Sequence, residues 1–388
     1  MRSIRDHRQR QPLPLRAVMA AATVVFVAGM SASAAASCPS QWPDWEQFKA
    51  RFISVDGRVI DSSTPRAVTV SEGQAYALFF ALVADDRRQF GRLLEWTENN
   101  LAAGDLTRNL PAWQWGRRDD GQWAVLDANP AADADVWLVY ALDQAGRLWQ
   151  EPYYRSLSAV IARQVFARET AELGGLGLGL LPAPEGFHPA PDLWRLNPSY
   201  LPPMLLRALA RSQPERPWGR VLDSSEQVLV GAAPGGLAPD WVEYRPGRGF
   251  SPDSITRATG SYDAIRVYLW LGLMAEAAPE RPGLVRHFAP MLELLRADGW
   301  PPETIDALSG RAQGRGPVGF AAALLPFAVA AGDHALAVRL AQQVAQQRDA
   351  LRERYYDTVL MLFGMGWFEG RYRFAAEGDL VPAWSRAC

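Results

Sequence analysis

The sequence predicts an all-α fold of about twelve helices in consecutive hairpins. Apolar residues recur at the helical spacing of three and four along most of the chain, whereas no convincing run alternates with the period of a strand. Proline and glycine separate the periodic segments, for example at Pro202-Pro203 and at Gly299-Trp300-Pro301-Pro302. This order is consistent with two architectures: an (α/α)6 barrel, which is a toroid of six helical hairpins, and an open helical solenoid.

A solenoid requires a sequence period that repeats along the chain, and none is visible here. The segment from Phe320 to Gln347, taken alone, resembles a tetratricopeptide hairpin, so a helical-repeat protein stays open as an alternative. Two long connections, 100–130 and 174–200, are rich in Trp, Pro and Leu. This composition is typical of ordered loops, which we expect to build a cleft on one face of the fold.

Each helix is predicted from its apolar period and from the residues that interrupt it. In chain order, the predicted helices are approximately 42–51, 71–84, 88–99, 133–146, 153–168, 203–211, 225–231, 262–276, 281–296, 317–331, 334–347 and 355–364. At the start of the second helix, Ser71 and Gln74 have the S-x-x-Q spacing of a capping box.

The first 36 residues have the layout of a secretory signal peptide. Five arginines precede a short apolar run from Ala17 to Gly29, and two A-x-A triplets follow and end at Ala36. The apolar run is too short to cross a bilayer comfortably, so an uncleaved anchor is the weaker alternative. We therefore expect residues 37–388 to form a single domain without a membrane span, in the periplasm or outside the cell.

Export changes how the two cysteines are interpreted. Cys38 and Cys388 would stand at the two ends of the mature chain, in an oxidising compartment where a disulfide persists. We expect these two residues to form a disulfide, with two free thiols as the alternative.

The composition excludes several classes of protein. Of the 388 residues, 48% are hydrophobic and 21% are charged, which excludes a mainly disordered chain. The net charge of -2 provides no basic field for nucleic acid. With four histidines and two cysteines there is almost no material for a zinc site, so we expect neither a metal nor a cofactor.

Fifteen tryptophans are the unusual feature of the composition. Most could fill a core, but Trp113 and Trp115 stand in polar, turn-like surroundings. Because an indole face can stack on the C–H face of a sugar ring, these two residues are candidates for binding a neutral glycan.

Three acidic clusters at predicted helix starts are the candidates for chemistry. They contain Glu72, Asp133 and Asp263, each beside small or hydroxyl residues. Any one of them could simply cap its helix. In a toroid, however, alternate helices begin on the same rim, so carboxylates from distant segments can converge there. Two opposed carboxyl groups are the minimum for cleaving a glycosidic bond by acid–base catalysis.

A set of motifs runs in order along nearly the whole mature chain. The longest begins with Asp133-Ala134-Asp135-Val136-Trp137 and continues to Trp149. The others are Pro43-Asp44-Trp45-Glu46-Gln47-Phe48, Ser71-Glu72-Gly73-Gln74, Leu110-Pro111-Ala112-Trp113, Asn197-Pro198-Ser199-Tyr200-Leu201-Pro202-Pro203, Ser261-Tyr262-Asp263-Ala264-Ile265-Arg266 and Gly314-Arg315-Gly316-Pro317-Val318-Gly319-Phe320. Together they resemble the motifs of glycoside hydrolase family 8. One departure is Ala132, where the family signature has Ser or Thr, and it removes no carboxylate.

The resemblance implies an (α/α)6 barrel and an inverting endo-β-1,4-glucanase. By motif match, Glu72 is the general acid and Asp263 the general base. Asp133 would orient and distort the sugar beside the scissile bond, since an inverting enzyme needs no covalent nucleophile. Tyr200 and Arg266 match residues that hold the base and its water. Arg266 also lies one helical turn after Asp263, close enough to pair with it.

The acid assignment carries an electrostatic requirement. A helix N-terminus lowers the pKa of a carboxyl, which opposes Glu72 as a proton donor. Burial, or a neighbouring anion such as Asp133, must therefore raise the pKa of Glu72.

Within the family, the resemblance is to members encoded with bacterial cellulose synthases. It implies a secreted cellulase that is accessory to cellulose biosynthesis, with β-1,4-glucan chains as substrate and the cellulose synthase export machinery as a partner. The alternatives are a chitosanase, xylanase or lichenase of the same family, or a non-catalytic helical scaffold or glycan-binding protein. Cationic chitosan would require extra acidic groups in the cleft, and a scaffold would not need all three carboxylates.

Overall fold

Six helices form a closed inner ring, and further helices pack around it. The computed structural model describes residues 42–63 and 65–386, so the predicted signal peptide and the predicted Cys38–Cys388 disulfide lie outside the described residues. The α-helices in this range are α1 Pro43–Phe52, α2 Ser71–Val83, α3 Arg87–Leu101, α4 Ala132–Leu148, α5 Pro152–Arg168, α6 Pro203–Ser212, α7 Trp218–Ala232, α8 Ile265–Leu273, α9 Arg281–His287, α10 Pro290–Asp298, α11 Val318–Ala330, α12 His334–Gln346 and α13 Tyr355–Phe368.

The inner ring consists of α2, α4, α6, α8, α11 and α13, each in contact with the next. The ring closes between α13 and α2, where the Phe80 and Phe363 rings are 4.6 Å apart. The partners on the outside are α3, α5, α7, α9, α12 and α1 respectively. This closed order is the (α/α)6 barrel predicted from the sequence, and closure excludes the open solenoid. Within the described residues, no helix has both the length and the apolar character needed to cross a membrane.

Aromatic side chains fill the axis of the ring. Trp137 of α4 lies 5.2 Å from Trp270 of α8 and 5.3 Å from Phe363 of α13, measured between ring centres. Tyr76 of α2 makes an edge contact with the same Phe363 at 5.2 Å. The inner helices are apolar on nearly all sides because they are covered by neighbours on all sides, whereas an outer helix such as α3 buries one face.

Short strands form five small antiparallel sheets in the connections between helices. They are β1 Thr69–Val70, β2 Gln114–Arg117, β3 Trp123–Asp127, β4 Thr170–Leu173, β5 Gly177–Leu180, β6 Trp194–Leu196, β7 Val242–Arg245, β8 Gly249–Pro252, β9 Thr259–Gly260, β10 Thr304–Asp306, β11 Ala312–Gln313, β12 Tyr372–Phe374 and β13 Leu380–Pro382. The sheet orders are β1-β2-β3, β4-β5, β6-β7-β8, β11-β10-β9 and β12-β13. The sequence analysis missed these strands because segments of two to five residues are too short to show a period.

The strands β1 to β11 all lie in connections that lead from a helix outside the ring into an inner helix. The small sheets therefore gather on the rim where inner helices begin. Their register fixes the helix starts: Val70 pairs with Gln114, and the Ser71 N–H donates to the Trp113 carbonyl at 2.9 Å. The long connections thus hold the first turn of α2 in place.

Several predicted helix bounds differ from the structure. The segment 281–296 forms two helices, α9 and α10, because Pro290 starts a new helix and cannot continue the preceding one. The predicted capping box of Ser71 and Gln74 is wrong. Gln74 instead accepts from the Val59 N–H at 2.6 Å and donates to the Thr97 hydroxyl at 3.0 Å. A buried amide is better satisfied by these partners from other segments than by its own helix terminus.

Glycine allows the inner helices to approach each other closely. A Cβ atom on Gly364 of α13 would stand 1.9 Å from the carbonyl oxygen of Ala322 in α11. A Cβ on Gly272 of α8 would stand 2.3 Å from the backbone nitrogen of Phe327, also in α11. At both crossings the obstacle is backbone, which has little freedom to move. The helices could accommodate a side chain only by separating.

We expect Gly364→Ala to lower the free energy of unfolding by about 1–3 kcal/mol or more, because the added methyl group overpacks a helix crossing. The matched control is Gly283→Ala in α9, where nothing lies within 4 Å of the added Cβ. That change should be neutral or stabilising by up to about 1 kcal/mol, since alanine is the better helix former. Urea denaturation of both variants measures the difference, and equal effects would contradict the close-crossing interpretation.

Candidate active site

The three predicted carboxylates converge at one rim of the inner ring. Glu72 is the second residue of α2, Asp133 is the second residue of α4, and Asp263 lies two residues before α8. Arg266 joins two of them, with its Nη2 atom 3.0 Å from Asp263 Oδ1 and 3.6 Å from Asp133 Oδ2. The charges of Arg266 and Asp263 also act on the Glu72 carboxyl. The predicted pairing of Arg266 with Asp263 is therefore present.

Glu72 has a raised pKa, as a general acid requires. The residue keeps some exposure to the cleft, but protein surrounds its carboxyl, and this burial is the main cause of the rise. The charge of Asp263 adds to it. A backbone N–H, the charge of Arg266 and the indole N–H of Trp113 act in the opposite direction. Burial therefore outweighs the helix N-terminus at this position.

Asp133 is almost completely buried, with 1% of its surface exposed. Its Oδ1 atom accepts the Ala134 N–H at 2.8 Å. Its Oδ2 atom has no hydrogen-bond partner among the described residues. Burial and the nearby Glu72 carboxyl raise the pKa of Asp133 well above its usual value. An unpaired buried oxygen is costly, so this atom is poised to accept a hydrogen bond from a bound molecule.

Asp263 stands on the turn 261–264, and 30% of its side chain is exposed. The Arg266 guanidinium that contacts it also donates to the Ser199 hydroxyl at 2.9 Å. The ring of Tyr200 lies beside the same guanidinium, 5.8 Å from its central carbon. The Tyr356 hydroxyl donates to the backbone carbonyl of the turn at Tyr262, at 2.7 Å. Asp263 is thus partly exposed and is held by an ordered frame.

Beside the carboxylates lies an open cleft of about 180 Å³. Its lining residues come from the long connections predicted to build it: Trp113, Asp127, Asn129, Pro130, Ala131, Pro182, Ala183, Phe187, Tyr200 and Trp241. Trp113 is 37% exposed and opens onto this cleft.

Trp115, the second candidate for stacking on a sugar, is engaged by its neighbours. Its ring stacks on Trp123 at 5.2 Å, and the Arg58 guanidinium lies 4.3 Å from its centre. The ring of Trp96 meets it edge-on at 5.5 Å. These contacts support the hairpin β2–β3 and leave Trp113 as the better candidate for contact with a ligand.

A second carboxyl pair supports the start of α4. Asp135 and Glu169 are both fully buried, their carboxyl oxygens have no other hydrogen-bond partner among the described residues, and the two groups are close enough to share a hydrogen bond. Such a bond requires a proton between the two carboxyls, and burial raises the pKa of both well above the usual range. The pair ties the first turn of α4 to the residue that ends α5.

The sequence analysis missed four residues that touch this site. Tyr76 lies one turn after Glu72, a spacing that could have identified it. Asp240, Trp241 and Tyr356 come from distant segments with no local signal, and only the fold brings them to the rim. Within the described residues, no group of three or more His, Cys, Asp or Glu side chains could hold a metal ion.

Comparison with known proteins identifies the family. The sequence model of glycosyl hydrolases family 8 matches residues 15–370. An endoglucanase of Xanthomonas axonopodis pv. citri is 45% identical over 95% of this chain and 97% of its own length. An endoglucanase of Escherichia coli K12 is 43% identical over 94% of this chain and 96% of its own length.

A solved structure supports the same assignment. The crystal structure of an endo-1,4-D-glucanase from Vibrio fischeri matches this fold with a TM-score of 0.86 at 41% identity, covering 89% of this chain and 100% of that one. The chain therefore belongs to glycoside hydrolase family 8 and is a glycoside hydrolase with the (α/α)6 fold of that family.

Proposed function

We propose that the protein is an endo-β-1,4-glucanase that hydrolyses its substrate with inversion. The observation that carries the proposal is the convergence of Glu72, Asp133 and Asp263 near Arg266, beside an open cleft lined by aromatic residues. Relatives that match nearly the whole chain are named endoglucanases, which supports β-1,4-glucan as the substrate class.

In the proposed reaction, Glu72 protonates the leaving oxygen of the glycosidic bond. Its raised pKa supports this role, because the proton is retained to a higher pH than on an ordinary glutamate. Asp263 removes a proton from water on the opposite face of the sugar. Arg266 donates to the Asp263 carboxylate and fixes its orientation. The result is a single displacement, which requires about 6.5–9.5 Å between acid and base to make room for the water.

Asp133 has a different role in this proposal. Its Oδ2 atom is buried and has no hydrogen-bond partner among the described residues, so a sugar hydroxyl would satisfy it. A hydrogen bond from the sugar next to the scissile bond would orient and distort that ring toward the transition state. Trp113, which is exposed and in contact with Glu72, is placed to stack on a neighbouring sugar.

The lining of the cleft favours a neutral chain over a cationic one. Beyond the catalytic carboxylates, Asp127 is the one ionisable carboxyl among the side chains that line it, and the remainder are neutral. A chitosanase would gain from several further anions at this surface. A non-catalytic binder would gain nothing from the cost of burying the Oδ2 atom of Asp133 without a hydrogen bond.

The location and the biological role belong to the same proposal. The signal-like residues 1–36 support export to the periplasm or beyond. The resemblance to family members encoded with cellulose synthases supports a role accessory to cellulose synthesis, close to the export machinery.

The first test is a panel of substrates. We expect purified enzyme to release reducing ends from carboxymethylcellulose much faster than from chitosan or xylan. Glu72→Gln and Asp263→Asn should each lower kcat by about 10²–10⁴-fold, because each removes one proton-transfer group. Thermal unfolding should change little. Glu172→Gln, at an exposed position on β4, is the control and should keep full activity. Preference for chitosan would overturn the substrate class, and full activity of both catalytic variants would overturn the mechanism.

The second test is the stereochemistry of the product. A single displacement on a β-linked glucan must release the α-anomer first. Proton NMR during early hydrolysis of a cello-oligosaccharide reads the anomer directly, before mutarotation mixes the two forms. Initial appearance of the β-anomer would exclude inversion and would make Asp133 a candidate covalent nucleophile.

The third test is the pH dependence of the acid. Activity requires protonated Glu72, so it is present below the raised pKa of this group and lost as the pH rises through it. We expect the alkaline limb of kcat/KM to lie above about pH 4.3, the ordinary pKa of a glutamate, because burial disfavours the charged form of the Glu72 carboxyl. Glu172→Gln should leave the limb in place. An alkaline limb at about pH 4.3 or below would show that Glu72 is not the group whose proton the reaction requires.

A further inference from the structure

Asp240 is connected to the turn that carries Asp263. A single oxygen of its carboxylate, Oδ1, accepts three backbone N–H groups: those of Ser261 at 2.8 Å, Asp263 at 3.1 Å and Ala264 at 2.8 Å. Three of the four residues of the turn 261–264 are thus bound to one atom. Asp240 belongs to the connection between α7 and β7, more than twenty residues earlier in the chain.

These bonds occupy the backbone donors of the turn that leads into α8. The N-cap of that helix, Ala264, makes no side-chain cap bond, and the first N–H groups of the helix bond to backbone carbonyls of the turn. The N–H groups of the turn itself therefore require another acceptor. A nearby aspartate such as Asp263 would ordinarily turn back toward such donors. Because Asp240 already accepts from them, the Asp263 carboxylate is free to face the cleft and Arg266.

The segment that carries Asp240 is itself anchored. The Asp240 N–H donates to the Thr259 carbonyl in β9 at 2.7 Å. Two residues earlier, the Ala238 N–H donates to the Tyr268 hydroxyl of α8 at 2.9 Å. The distance between Asp240 and the turn is therefore set by both β9 and α8, so a shift of the Asp240 carboxylate would move the base.

We propose that Asp240 is the positioning residue of the catalytic base, since its carboxylate holds the turn 261–264 and leaves the Asp263 side chain free to activate water. The inference rests on the proposed role of Asp263. Asp240 acts through the backbone of the turn and touches neither the sugar nor the water.

The charge of Asp240 also affects the site. The ionisable groups that face it are Asp263 on the turn, Tyr268 on α8 and Tyr356 on α13. Burial, followed by the charge of Asp263, raises the pKa of Asp240 to about 6, although the three N–H groups oppose the rise. As the pH falls through this value the turn loses its charged acceptor, so Asp240 contributes to the acidic limb of the activity profile.

The test compares two substitutions at Asp240 with a matched control. Asp240→Asn keeps an acceptor oxygen but removes the charge, and Asp240→Ala removes both. We expect kcat on a soluble cello-oligosaccharide to fall by about tenfold in the first and about a hundredfold in the second, as a misplaced catalytic group does. KM should stay within about twofold. The acidic limb should move to lower pH in Asp240→Asn, because the titration of Asp240, with its pKa of about 6, no longer contributes to it.

Asp306→Asn is the control for a purely structural cap. Asp306 accepts the N–H groups of Leu308 and Ser309 at 3.2 and 2.8 Å in a turn that carries none of the three carboxylates. This variant should keep the wild-type kcat and pH profile. If Asp240→Asn lowers only the melting temperature and leaves kcat per folded molecule and the acidic limb unchanged, Asp240 is a structural cap and the inference fails. If Asp263→Asn itself remains active, the proposed function fails first, whatever Asp240→Asn does.

Discussion

The charge of Arg266 connects the parts of the site that come from different helices. Its guanidinium is buried and faces Asp263 at 3.0 Å and Asp133 at 3.6 Å, while Ser199 accepts from it at 2.9 Å. A cation removed from water is costly unless anions and acceptors surround it. Displacing any of these three partners would therefore expose Arg266 to that cost. A planar guanidinium presents several donors in fixed directions, which a lysine could not do.

The carboxylates around Arg266 occupy similar positions in the sequence but different environments. Glu72 and Asp133 stand at the second residue of their helices, where burial raises the pKa of both. Asp263 stands on a turn outside its helix, is partly exposed, and accepts directly from Arg266. Acid and base roles require carboxyl environments that differ in this way. The difference arises because α8 begins two residues after its acidic residue, whereas α2 and α4 begin one residue before theirs.

The sequence predicted most of the fold and the three carboxylates, because both follow from long-range periodicity and from helix starts. Apolar periodicity predicted helices such as α11, and acidic residues at helix starts made Glu72 and Asp133 candidates. It did not predict the strands, the partners of Gln74 or the role of Asp240. Those depend on contacts between segments far apart in the chain, as when Gln74 binds Val59 and Thr97. No local pattern records such contacts.

The architecture separates the part that provides stability from the part that provides chemistry. Aromatic rings from α2, α4, α8 and α13 close the axis of the barrel, so the inner helices cannot shift without opening a large cavity. The connections on the rim have no such constraint and carry the cleft residues. Because the packed axis holds the inner helices in place, a connection can position its side chains by a few hydrogen bonds, as Asp240 does for the turn 261–264. A rigid ring thus allows the loops to be specialised for a substrate at little cost to folding.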